Sequence, residues 1–242
     1  ENPCSNKIRN IYQSLDVKTM PIEMDDEGIL SEQEGLKESD VIQISPSHHF
    51  PTGVVTSISR RYAILGWANE SDDRYIIEDD YDSEFRLQGR PIPSLFSIDT
   101  SGKVIYFNTF SKTLASTIRI SYMVLPYSLL ERFKSALGFY SCTVSNFEQY
   151  ALATFIMDGY LERHINRMRI QYKAIRDQLI DQIKSSWLAP YVSISQENAG
   201  LHFLLDIDTD MTDEQLKEKA LDMGIAVSFL SDYYDKTATG PA

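Results

Sequence analysis

YIIEDDYDSEF, residues 75–85, sets a short apolar run against five carboxylates: Glu78, Asp79, Asp80, Asp82 and Glu84. Tyr75, Ile76 and Ile77 have the character of a buried strand, and carboxylates crowded at its end repel one another unless a cation stands nearby or most of them face water. Asp82 and Glu84 read as members of a solvated loop. Asp79 differs, because it follows the apolar run directly, where a strand-end side chain faces a crevice. An isolated carboxylate there is costly to desolvate unless a cation meets it, and a protonated ring nitrogen is such a cation. Asp80, Asp82 and Glu84 alternate like the start of a calcium loop. Phe85 stands where the turn glycine belongs and no Glu closes the loop, so no metal is expected.

Working outward, VIQIS (41–45), RYIIED (74–79), KVIYFNT (103–109) and ISYMVL (120–125) are short and rich in Val, Ile and Tyr, as strands covered on both faces are. Between the first two, Ile58, Tyr62, Leu65 and Trp67 approximate helical spacing, with Ser57 or Ser59 as cap. Strand, helix and strand in succession predict an α/β fold with a mainly parallel sheet flanked by helices. Residues 127–183 read as mostly helical, interrupted at Gly159, and the last of these helices is long and charged on one face, suiting a connector. YVSISQENAGLHFLLDID (191–208) then alternates like a hairpin, a capped helix starts at Thr212, and IAVSFL (225–230) reads as a further strand. The expected division is a larger unit over 1–160, followed over 161–242 by a linking helix and a small α+β domain.

The 242 residues are 43% hydrophobic, enough for a substantial core. A net charge of −12 argues against this stretch gripping nucleic acid, which needs Lys and Arg to neutralise phosphates. Two cysteines, Cys4 and Cys142, make no disulfide framework and fit a reducing cytoplasm. No apolar run reaches the roughly 18 residues that span a bilayer. A start at ENP without Met and an end at TATGPA read as a piece of something longer.

Ligands of parallel sheets sit beyond the carboxyl ends of the strands, which directs attention to SHHFPTG (47–53), EDDYDSE (78–84) and FSKTLASTIR (110–119). Lys112 follows the strand VIYFNT almost directly. An amine held and partly desolvated there is nucleophilic enough for Schiff-base chemistry, although most lysines at helix starts only face solvent. Thr109 and Ser111 bring hydroxyls beside it and Arg119 a guanidinium, a set suited to a phosphate. His48 and His49 read as a loop pair near a pocket rim with no metal partners, and Trp67 and the aromatic residues of the helices as core.

In order and spacing, YIIEDDYDSEF, the TFSK lysine 33 residues after Asp79, RISYMVLP, PSHHFPTG and NAGLHF together resemble the aminotransferase-like domain of MocR-type regulators, a branch of the GntR transcription factors. The resemblance covers nearly the whole chain. It implies the fold of type I pyridoxal 5'-phosphate (PLP) enzymes, with Lys112 forming the internal aldimine, Asp79 paired with the pyridine nitrogen, and Tyr81 hydrogen-bonded to the phenolic oxygen. Thr109, Ser111 and Arg119 would hold the phosphate. A homodimer is also implied. Where the family reads EDPGYxR this chain has ENPCSNK, so Ser5 replaces an aromatic and Lys7 a basic residue that can contact the effector. Ser116 and Thr117 replace the family's Pro-Gly. By the same resemblance a glycine-rich phosphate loop and a winged helix-turn-helix would precede residue 1, and a carboxylate-binding arginine would follow the final GPA.

The implied function is effector sensing by a PLP-binding domain of a cytoplasmic transcription regulator, which responds to an amino compound or to PLP itself by aldimine exchange at Lys112. DNA would be reached only through the winged helix. An aminotransferase acting on an amino acid is the alternative, with Lys112 moving the α-proton. EDDYDSEF favours the sensor, since working aminotransferases of this type more often resemble DDPY there. A fold that has lost its cofactor fits poorly with the joint presence of Asp79, Tyr81, Lys112 and Arg119.

Overall fold

The structure is a computed structural model that describes residues 1–87, 89, 92–198 and 200–235. The end of the expected C-terminal domain, 236–242, and Ala199 of NAGLHF lie outside the described residues. The chain opens with helix α1 (Asn6–Ser14), a small hairpin of β1 (Met24–Asp25) and β2 (Gly28–Ile29), and the single turn α2 (Glu34–Lys37). Then come β3 (Val41–Ile44), α3 (Ile58–Asn69), β4 (Tyr75–Asp79), the short α4 (Leu95–Ile98), β5 (Val104–Thr109), the short α5 (Phe110–Thr113) and β6 (Ser121–Val124).

These four strands form one sheet in the order β3-β4-β5-β6. β3, β4 and β5 run parallel, and β6 turns back antiparallel against β5. The mainly parallel sheet expected from the apolar runs is therefore present, with each strand end within two residues of its expected place. Ser57 caps α3, its hydroxyl accepting from the Arg60 amide at 3.3 Å. Ile64, Leu65, Trp67 and Ala68 on α3 pack with Ile42, Ile44, Ile76 and Val104 of the strands as one core. Ile58 and Tyr62, counted toward the buried face from spacing, are exposed instead.

The second half is helical through α6 (Tyr127–Leu137), α7 (Asn146–Met157) and α8 (Tyr160–Ser185). Gly159 breaks α7 from α8 in the left-handed conformation, φ 69°, which a residue without Cβ adopts freely. The aromatic residues here are not core: Tyr127, Phe139, Phe147 and Tyr150 are largely exposed, since no other described element covers α6 and α7 on that side. α8 leans on the sheet through Tyr172, edge-on to Phe85 at 5.3 Å, and through Arg169, whose Nε donates to the Glu84 carbonyl at 2.9 Å. Beyond it, β7 (Val192–Ser195) and β8 (Leu204–Ile207) pair antiparallel, and α9 (Asp213–Asp222) begins at a capping box on Thr212 and Gln215. The strand expected at 225–230 does not form. Among the described residues this stretch finds no strand to pair with, and β propensity alone leaves its amides without a ladder.

One buried cation ties the sheet's carboxyl end together. Arg61 on α3 is fully buried and donates to the carbonyls of Thr56 (3.1 Å), Pro93 (2.9 Å) and Pro46 (2.6 Å), with Glu78 at 4.0 Å. Replacing it with Met strands three carbonyls and a buried carboxylate, so Arg61→Met is expected to lower unfolding free energy by about 3–5 kcal/mol, read from urea midpoints.

Candidate cofactor site

Four of the five carboxylates at the end of β4 and just beyond it are engaged inside the protein. Glu78, fully buried, accepts the amides of Leu95 (2.9 Å) and Phe96 (2.8 Å) at the start of α4, and burial above all pushes its carboxyl up to about 7. Asp80 accepts the Tyr106 hydroxyl at 2.7 Å and that of Ser83 at 2.9 Å. Asp82 lies 2.9 Å from Nδ1 of His48, and both residues are 2% exposed. Glu84 accepts Asn108 Nδ2 at 3.3 Å. The solvated loop expected at Asp82 and Glu84 is thus overturned: donors on other elements fold the carboxylates inward. That signal lay outside the stretch, in His48, Tyr106 and Asn108, which only the sheet brings near.

Asp79 is the exception. Its side chain is partly buried, and among the described residues no cation and no hydrogen-bond donor is paired with its carboxylate. Burial raises its carboxyl to about 6, and Glu1, Asp80 and Asp82 add to the rise. Together with Tyr81 and Lys112 it lines a cavity of about 790 Å³ that runs between α1 and the length of β3 and reaches Ile77 and Asp79 of β4. Lys112 on α5 and Asp79 on β4 therefore face one space, from neighbouring strands. The Tyr81 hydroxyl donates to the His48 carbonyl at 2.9 Å; burial and the adjacent carboxylates raise it above the usual phenol range.

The other predicted residues divide. Ser5 lines the cavity, whereas Lys7 on the outer side of α1 is exposed and does not. Thr109 caps α5, accepting the Ser111 amide at 3.1 Å, and its hydroxyl reaches the Ile120 carbonyl at 3.2 Å. The ladder pairs Thr109 with Ser121 and continues from the Phe110 amide to Ile120, which brings Ser111 and Arg119 to the same sheet end. Ala115 and Ile118 close the turn where Ser116 and Thr117 stand, and Arg119 leaves it at φ 50°. Thr109, Ser111 and Arg119 thus cluster beside Lys112 in sequence and register, outside the cavity's lining.

Sequence reasoning missed several cavity residues. Tyr12 of α1 bonds Gln43 of β3, and its phenol is raised by burial and by Asp79. Glu1 accepts the Ser45 amide and lies 3.4 Å from His49 Nε2. Arg9 is held by the carbonyls of Tyr233 and Tyr234, from the far end of the chain. Side chains on α1 and at the terminus carry no local motif, so only the fold assembles them. His48 and His49, expected at a rim, are buried.

Residues 13–234 match the aminotransferase class I and II family. The chain belongs to it. Among curated relatives, the uncharacterized HTH-type transcriptional regulator YdeL of Bacillus subtilis is 39% identical over 94% of this chain and 49% of its own length. The probable rhizopine catabolism regulatory protein MocR of Rhizobium meliloti is 34% identical over 96% and 46%. The chain spans about half the length of these relatives. Among solved structures, the kynurenine aminotransferase of Pyrococcus horikoshii, crystallised in complex with PMP, superposes with a TM-score of 0.84 at 27% identity, covering 96% of this chain and 59% of that one. The MocR-type resemblance and the aminotransferase-like fold read from the sequence both stand.

An unpaired carboxylate with a raised folded pKa takes up protons on folding between its unfolded value, near 4, and about 6. Stability is therefore lost as pH rises across that window and stays low above it. Asp79→Asn, neutral and of equal shape, is expected to be as stable as the parent at pH 4 and about 1–3 kcal/mol more stable at pH 8, measured by thermal and urea unfolding without ligand.

Proposed function

We infer that this chain is the effector-binding part of a MocR-type transcription regulator, holding PLP between Asp79 and Lys112 and answering an amino compound or PLP itself. The observation that carries the reading is Asp79: a partly buried carboxylate with no cation paired to it among the described residues, on the same cavity as a lysine amine. A pyridinium supplies the missing charge, so the residues fit the cofactor. When bound, PLP supplies an aldehyde carbon that captures amines and an aromatic ring that draws off electrons.

The chain's own residues have separate tasks. Asp79 would hold a proton on the ring nitrogen, and Tyr81, its own proton given to the His48 carbonyl, would present its oxygen to the ring's hydroxyl. Lys112 would offer the amine with which an incoming ligand amine competes. Ser111 and Arg119, with Thr109 fixing the turn between them, bind the phosphate. Ser5 lies where an effector would pass, whereas the exposed Lys7 would need to move to reach it. Residues 1–160 then act as the cofactor-holding unit and 161–242 as the part displaced on binding. Such a shift extends only as far as the ligand's preference for one state over the other. A homodimer and DNA contact through a winged helix outside this sequence complete the reading.

The test is the visible absorption of the purified chain with PLP, followed by borohydride reduction and peptide mapping. A band that becomes a covalent label on Lys112 is expected, and Lys112→Ala is expected to lose both band and effector response. A Lys112→Ala protein that responds fully overturns the reading. Turnover of an added amino acid to its oxo acid would favour an aminotransferase.

A further inference from the structure

The geometry points to His48 as the positioning residue for Tyr81, seated by Asp82 on one side and by Gly200 and His202 on the other, so that the loop between β7 and β8 sets where the cavity's tyrosine hydroxyl lies. This deepens the PLP-binding reading and rests on it for its consequence, though not for its geometry.

Both hydrogen bonds of the Tyr81 hydroxyl go to one residue. It donates to the His48 carbonyl at 2.9 Å and lies 3.4 Å from His48 Nδ1. The same Nδ1 stands 2.9 Å from Asp82 Oδ2, which accepts only, so Nδ1 carries the proton and points it chiefly at Asp82. That leaves Nε2 as the bare nitrogen, buried without a partner among the described residues. A neutral ring with its proton on Nδ1 is the state in which Nε2 needs no acceptor.

The ring's place is fixed from the other half of the chain. His202 packs on it with centroids 4.2 Å apart, and His202 is itself kept uncharged because burial lowers its pKa to about 4. His202 Nε2 meets the Pro51 carbonyl at 3.2 Å. Gly200 passes so close that a Cβ there would fall 1.8 Å from His48 Nδ1, and its φ of +67° already favours glycine. PSHHFPTG and NAGLHF, far apart in sequence, thus meet at one imidazole. Asp82, without an assigned task from sequence, orients that imidazole.

A hydroxyl mispositioned by loss of its holder forfeits about one net hydrogen bond to a ligand, roughly fivefold in affinity. The experiment uses the chain labelled with ¹⁵N-histidine. Without ligand, the His48 Nδ1–H resonance is expected at low field, displaced by Tyr81→Phe and lost in Asp82→Ala. PLP titration then compares the parent, Asp82→Ala, Gly200→Ala, Tyr81→Phe and the two doubles. Asp82→Ala and Gly200→Ala are each expected to weaken PLP binding about fivefold in the parent and not at all beside Tyr81→Phe. Losses of equal size in both backgrounds mean that the histidine only supports the fold, and overturn the inference. So does a resonance that is absent or blind to Tyr81→Phe. Should Asp82→Ala fail to fold, Gly200→Ala carries the comparison. If the parent takes up no PLP, the PLP-binding reading falls, while the ligand-free resonance still decides the His48 to Tyr81 coupling.

Discussion

The structure depends on how it accommodates five carboxylates between Glu78 and Glu84 at the carboxyl end of a parallel strand. Each buried carboxylate needs donors, and one strand end cannot supply them from its own backbone. Four are met by groups from elsewhere: the first amides of α4 for Glu78, Tyr106 of β5 for Asp80, His48 of the β3–α3 loop for Asp82, and Asn108 of β5 for Glu84. These bonds pin the loops around β4 to one another. The same demand shapes the neighbouring layer, where Arg61 spends its donors on the carbonyls of Pro46, Thr56 and Pro93, fixing the loops that carry His48 and α4.

The sheet was legible because its strands are short, β-branched and bounded by polar residues, and burial on both faces enforces that composition. The helix after β3 was legible from Ser57 and the apolar spacing, and α9 from its capping box. What failed did so for tertiary reasons. Ile225 to Leu230 has the residues of a strand, but a strand exists only with a neighbour to pair, which local sequence does not record. Aromatic residues on α6 and α7 look like core, yet burial belongs to what covers a face, not to the face itself.

At the site, Asp79 and Lys112 were legible because position after a strand constrains where a side chain faces. Asp82 was not. An acidic residue in a polar run reads as solvated until a buried imidazole 34 positions away is known to meet it. The same holds for Tyr12, Glu1 and Arg9, whose place on the cavity follows from the packing of α1 against the sheet and from the return of the chain at Tyr233. Lys7 shows the converse: motif alignment gives a position in the chain, whereas the rotation of α1 gives the direction of the side chain.

The chemical kind of the four donors matters as much as their presence. Backbone amides, a phenol, a neutral imidazole and a carboxamide satisfy hydrogen bonds without adding positive charge, so they leave the negative potential of Asp80 and Asp82 largely in place around Asp79. Glu1, held by the Ser45 amide at the end of β3, adds to it. Had a lysine or arginine capped Asp80 or Asp82, its charge would have neutralised that potential and stabilised Asp79 without any ligand. Arg61 sits instead beside Glu78, 4.0 Å away on the α3 side. The arrangement keeps Asp79 ionised at neutral pH and unfavourably so, which is the condition under which a cation entering the cavity gains most. The cost to the ligand-free fold and the attraction for a protonated aromatic nitrogen are one electrostatic quantity, and the neutral donors around Asp80 and Asp82 set its size.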